Sequence, residues 1–139
     1  MVFRAPVSLP ELNRLSQGTL IEHLGIVFTA AGDDWLQATM PVDARTRQPY
    51  GLLHGGASVV LAETLGSSAG NLCVDTGQQV CVGLEINANH LRATRDGVVT
   101  GTARAVHVGR TTQVWDIRIE NEAGKPVCVS RLTLAVVPA

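Results

Sequence analysis

One carboxylate in this chain stands out by its company. Glu63 sits in the run from Gly55 to Ser67, where every other side chain is apolar, small or a hydroxyl. An ionised acid is expensive to bury in such a setting unless a partner or a reaction compensates. The run begins with two glycines, Gly55 and Gly56, at the expected start of a helix. A helix start leaves backbone N–H groups without acceptors, and its dipole favours an approaching negative charge. A carboxylate together with open amides is equipment for attack on a carbonyl whose oxygen becomes an oxyanion. Ser67 lies four residues beyond Glu63, so it shares that helix face and can hold a water or orient the acid. His54 precedes the helix, where the dipole disfavours imidazolium, and is expected as a neutral hydrogen-bond partner. Gln48, in the loop before it, can donate to an oxygen. Each residue also has an ordinary reading: Glu63 as a solvated acid, His54 as a plain cap, Ser67 as a small helix residue, the glycines as aids to close packing.

Spacing adds a constraint. Gly55 and Glu63 are eight residues apart on one helix, so at 1.5 Å per residue about 12 Å separates them. Reacting groups must stand roughly 3–3.5 Å from one another. Glu63 therefore does not serve a carbonyl held at Gly55 of its own helix. Two antiparallel copies remove the difficulty, with Gly55 of one chain opposite Glu63 of the other, twice over. The expectation is an isologous homodimer with two shared sites.

The elements that must hold these groups follow from the patterning. Two helix-start signatures, Ser8 to Glu11 and Thr19 to Glu22, predict two short helices with Gly18 and Gly25 as stops. Strands are expected from Ile26 to Ala30 and from Trp35 to Val42, joined by a hairpin at Gly32-Asp33-Asp34. A polar loop, Asp43 to Leu53, leads to the helix, Gly55 to Cys73. That helix is apolar nearly all round (Val59, Val60, Leu61, Ala62, Leu65, Ala69, Leu72), which predicts burial. Gly66 and Gly70, four apart, predict a groove against which another backbone packs. Four strands complete the chain: Val80 to Ala93, Val98 to Val108, Thr111 to Glu120 and Val127 to Val137. In the first, Val82, Leu84, Ile86, Ala88 and His90 are expected on one face, so that His90 points at the helix. In the third, Trp115, Ile117 and Ile119 alternate with Asp116, Arg118 and Glu120. Consecutive hairpins require an antiparallel sheet, and a curved one would cover the apolar helix.

At 139 residues and 45% apolar content the chain fits one domain, 1–139, with a real core. A net charge of −1 with a single lysine, Lys125, gives no footprint for nucleic acid. No apolar run is long enough for a membrane span, and the start lacks the apolar centre of a signal peptide. Cys73, Cys81 and Cys128 read as small core residues in a reducing compartment, which makes the cytoplasm the default. The four histidines are scattered without ligand spacing, so no metal is expected.

Five segments carry a family resemblance: Ala38 to Asp43, Gln48 to Glu63, Val82 to His90, Gln113 to Trp115, and Ser130 to Thr133. In that order they resemble the hotdog-fold acyl-CoA thioesterases, in the subgroup with the phenylacetic-acid-degradation and 4-hydroxybenzoyl-CoA-type enzymes. The resemblance implies an α+β hotdog fold, an antiparallel β-sheet wrapped around one long buried helix. It implies hydrolysis of an acyl-CoA to a carboxylic acid and free coenzyme A, with no cofactor beyond the coenzyme A of the substrate. Glu63 would be nucleophile or general base, and the Gly55 N–H would polarise the thioester carbonyl. Gln48, His54, Ser67 and His90 would orient substrate and water. Coenzyme A would run past Gly83, His90, Arg92 and the hairpin His107, Gly109, Arg110, Thr111 and Thr112. The subgroup usually forms a dimer of dimers, a homotetramer. An aromatic or bulky acyl group, such as dihydroxynaphthoyl (as in menaquinone synthesis) or benzoyl, is favoured. Two other readings stay open: a hotdog hydroxyacyl-thioester dehydratase, whose His-Phe-Pro loop this chain replaces with His-Gly-Gly, and a non-catalytic acyl-CoA binding module.

Overall fold

The computed structural model describes residues 1–139. Two short helices, α1 (Leu9–Leu15) and α2 (Leu20–His23), precede strands β1 (Val27–Ala31) and β2 (Trp35–Pro41). A long helix, α3 (Gly55–Leu72), follows, then β3 (Gln79–His90), β4 (Val98–Val108), β5 (Thr112–Glu120) and β6 (Pro126–Pro138). The six strands form one sheet in the order β1-β2-β4-β5-β6-β3, and every neighbouring pair is antiparallel. The expected elements are all present, with ends within a few residues of those read from the patterning.

The caps are simpler than the signatures suggested. Ser8 accepts the Glu11 N–H as an N-cap should, but the Glu11 carboxylate turns to Arg14 instead of back to Ser8. Thr19 accepts from Ile21 rather than from Glu22. Gly18 and Gly25 take positive φ, 74° and 71°, just beyond the two helices.

One side of α3 packs into the sheet. Ala57, Ser58, Leu61, Ala62, Leu65, Gly66, Ala69 and Gly70 are buried, against inward side chains such as Leu132, Leu134, Ile117 and the fully buried Trp115. The groove at Gly66 and Gly70 exists, but leucine side chains fill it rather than a backbone. A β-carbon at either glycine would lie 2.4 Å from a methyl of Leu132 or Leu134. The opposite side of α3, with Val59, Val60, Glu63 and Ser67, is only half-buried. A single sheet covers a single side, so the expectation of burial all round is not met within one chain.

The predicted alternation of β3 is also corrected. Pairing with β6 slips between Gly83 and Glu85, leaving Leu84 as the extra residue of a bulge. One added residue reverses which face each side chain takes. Cys81 and Gly83 therefore face the helix before the bulge, and Ile86, Ala88 and His90 after it. Val82 and Leu84 instead stand 43% and 62% exposed on the strand that closes this side of the sheet.

An asparagine from a helix grips each edge of the sheet. Asn13 of α1 exchanges hydrogen bonds with the N–H and C=O of Phe28 on β1, at 2.9 and 3.1 Å. Asn71 of α3 accepts from the Cys81 N–H on β3 at 2.9 Å, and its NH₂ faces the Ser67 and Cys81 carbonyls at 2.9 and 3.5 Å.

Candidate active site

The tip of α3 leaves one amide open. His54 is the N-cap, and its carbonyl accepts from the Ala57 and Ser58 N–H groups at 3.0 and 3.2 Å. Its imidazole Nδ1 accepts from the Gly56 N–H at 2.8 Å, which requires that nitrogen to be unprotonated. The Gly55 N–H has no acceptor in the chain. Of the two glycine amides expected to be open, His54 takes one, and Gly55 carries the other alone.

The loop before the helix is tied down so that Gln48 lies beside this tip. Thr46 donates to the Pro41 carbonyl at 2.8 Å, and hydrogen bonds from the Arg45 side chain hold the Asp43 carboxyl below the usual carboxylate range. Leu53 donates to Thr94 at 2.7 Å, and Arg47 and Leu53 bridge the loop's base. The Gln48 Oε1 accepts from the Tyr50 and Leu52 N–H groups at 2.5 and 3.5 Å, which leaves its NH₂ as the group that can donate. His90 stands over the helix tip as expected, and a β-carbon at Gly55 would lie 2.9 Å from its Nε2. It is exposed, not a core histidine. Gln48, Gly55, Ser58, His90 and Arg92 share a cleft of about 380 Å³.

Glu63 points elsewhere. Its Oε2 is buried without a hydrogen-bond partner. Its Oε1 rests against the bare backbone of Gly83, 3.1 Å from where a β-carbon would sit. Ser67, one turn on, lines a larger cleft of about 570 Å³ between the Arg4–Pro6 segment, α1, α2 and the C-terminal half of α3. Leu12, Phe28, Leu72 and Val74 give it apolar walls. The hairpin residues His107, Arg110, Thr111 and Thr112 are exposed, with the turn closed by the Gly109 N–H to the Thr112 carbonyl at 2.9 Å.

The site residues thus fall into two groups at opposite ends of one chain. Along β6, Ala135 pairs with both Val82 and Thr112, whereas Cys128 pairs with His90. Seven residues at 3.3 Å put about 23 Å between these levels. Gly55, Gln48, His54, His90 and Arg92 stand at one end, and Gly83 with the 107–112 hairpin at the other, with Glu63 turned toward them. One chain therefore holds the residues expected along coenzyme A in two separate groups. Asn71 escaped the sequence reading altogether; its only signal was a polar position four residues past Ser67 and eight past Glu63.

Comparisons with known proteins bear on the family and the fold. A profile of the thioesterase superfamily matches residues 50–128. An esterase of Pseudomonas aeruginosa, PA1618, is 60% identical over 137 residues, 99% of this chain and 94% of that one. A crystal structure of a glutamine-to-alanine mutant of that thioesterase covers 100% of both chains at 58% identity, with a TM-score of 0.99. The 1,4-dihydroxy-2-naphthoyl-CoA hydrolase of Escherichia coli is 53% identical over 98% of this chain and 99% of its own. The proofreading thioesterase EntH of Cronobacter sakazakii is 54% identical over 98% of each.

Proposed function

The chain belongs to the thioesterase superfamily and is a thioester hydrolase, and from that premise we propose that it splits aromatic or bulky acyl-CoA thioesters at two sites shared within a homodimer. The observation that carries this reading is the pair of unsatisfied groups: a Gly55 N–H with no acceptor and a Glu63 Oε2 with no donor, about 12 Å apart along α3. Each is what the other's substrate would need, and a twofold axis beside α3 brings them together. The half-buried outer side of α3 and the open edge of β3, with Val82 and Leu84 exposed, support a second copy there. The same pairing would unite the coenzyme A residues that one chain holds apart.

In this mechanism the thioester oxygen accepts from the Gly55 N–H of one protomer, beside its Gln48 and His90. Glu63 of the twin, held by the Gly83 backbone and flanked by Ser67, acts in one of two ways. It adds to the carbonyl carbon, expelling coenzyme A thiolate and leaving a mixed anhydride that water opens. Or it takes a proton from water as the oxygen attacks, and passes that proton to the departing sulfur. The products are the acid and free coenzyme A either way. The 570 Å³ cleft beside Ser67 is of a size for a fused ring or a medium chain, and the named substrate of the E. coli relative is a bicyclic aryl thioester. By the family likeness, two dimers pair as a tetramer.

The test is a panel of benzoyl, naphthoyl and straight-chain acyl-CoA thioesters, run on wild type and Glu63→Gln. Free thiol release should favour the aryl and bulky members. Turnover in the variant should fall on the order of 10²–10⁴-fold with binding kept. Wild-type turnover in Glu63→Gln would remove the acid from the mechanism.

A further inference from the structure

The carboxylate is only as well aimed as the strand it leans on, and within its own chain that strand is the last of the sheet. β6 holds β3 on one side; on the other, the peptide groups of Cys81 are held by a single side chain, Asn71. The Asn71 Oδ1 accepts from the Cys81 N–H at 2.9 Å, and its Nδ2 is fixed by the Ser67 carbonyl at 2.9 Å and faces the Cys81 carbonyl at 3.5 Å. Gly83, two residues along on the same face, is the surface against which the Glu63 Oε1 rests. Leu84 follows at once as the bulge, where ladder pairing is interrupted. Within its own chain Gly83 therefore lies between a slip in the ladder and one side-chain clamp, which sets its position before any twin is added. We propose that Asn71 is a positioning residue for the hydrolysis: by gripping the Cys81 peptide groups it fixes Gly83, and through Gly83 the direction of the Glu63 carboxylate.

The inference rests on the reading of Glu63 as the acting acid. The molecule supplies its own comparison, because Asn13 makes the same kind of clamp on Phe28 at the opposite edge of the sheet from Gly83, where it touches a wall of the larger cleft and not the strand under Glu63. Asn71 also lines the larger cleft, so an effect on acyl fit must be told apart from an effect on aim.

The experiment measures kcat, KM and thermal unfolding for wild type, Asn71→Leu, Asn71→Asp, Asn13→Leu and Glu63→Gln, with benzoyl-CoA and octanoyl-CoA. Asn71→Leu should lower kcat ~10- to 100-fold, by the same factor for both thioesters, with KM within about twofold. Asn71→Asp keeps an acceptor for the Cys81 N–H but turns a carboxylate oxygen toward the Ser67 and Cys81 carbonyls, so it should recover only part of that loss. Asn13→Leu should lower the unfolding temperature and, because Phe28 walls the larger cleft, show itself in KM for the bulkier thioester rather than as an equal loss of kcat for both. Should Asn71→Leu not fold, Asn71→Ser carries the test, since its hydroxyl is too short to reach Cys81, and the same loss is expected. Two results overturn the proposal alone: kcat in Asn71→Leu within twofold of wild type while Glu63→Gln is inactive, or a loss confined to KM for one acyl group. An active Glu63→Gln overturns both this proposal and the mechanism it rests on.

Discussion

Glu63 carries an oxygen that nothing in its own chain satisfies. A buried polar atom in that state costs about 1–3 kcal/mol, more when charged, so its persistence calls for a use outside the folded monomer. Gly83 shows how closely the acid is accommodated. An alanine there would put its β-carbon 3.1 Å from the Glu63 Oε1, close enough to push the carboxylate aside by a few tenths of an ångström. Gly83→Ala should therefore lower kcat about tenfold. Stability should hold or rise by up to ~1 kcal/mol, because glycine inside a strand is the weaker choice. Steady-state rates and urea unfolding on the same preparation would check the opposite signs, and unchanged turnover would contradict the tight fit. Residues of this kind differ in how visible they are in the sequence. Glu63 showed itself as an acid in an apolar run, and His54 as a cap. Asn71 did not, because an amide in the last turn of a helix reads as unremarkable until the strand it grips is in place.

Among the elements, α3 acts as a spacer with a chemical group at its tip and another two turns on, and β3 sets where the second one points. Alternation made the strands legible, and Trp115, Ile117 and Ile119 face inward as the pattern required. It failed within β3, where one extra residue reverses the faces and only a glycine at the site hinted at it. The seam between α3 and β3 also holds two of the thiols. Burial, helped by the neighbouring Cys81, pushes Cys73 up from 9.0 to about 11, and burial raises Cys81 and Cys128 as well. A raised thiol pKa means the folded chain keeps protons that the unfolded chain releases. The associated stability is complete below pH 9 and is lost as pH climbs toward 11. Unfolding midpoints should fall over that interval. At pH 8 all three cysteines should react slowly with an aromatic disulfide reagent until denaturant is added. Fast stoichiometric labelling of the native protein would contradict their placement.

For the whole molecule, the two-ended arrangement makes a sharper prediction than any single variant. Gly55→Pro removes the open N–H at the first helical position, where the backbone accepts proline, and its ring also crowds His90; alone it should be as inactive as Glu63→Gln alone. Mixed, unfolded together and refolded, the two should regain about a quarter of wild-type activity, since half the random dimers are hybrids and each hybrid has one intact site. No recovery in verified hybrid dimers would mean that each chain works by itself. The proposal of a twin comes from the helix spacing alone, since it is arithmetic on 1.5 Å per residue. The division of the residues proposed for coenzyme A into two groups could not be read there, because it depends on strand register. The uncovered rim of β3 has one more implication. If the strand that aims the acid is also the strand that joins the copies, a short extended peptide laid along Val82 and Leu84 would silence the enzyme without resembling its substrate. Inhibition would then be strongest on protein still being assembled and weakest on dimers already closed.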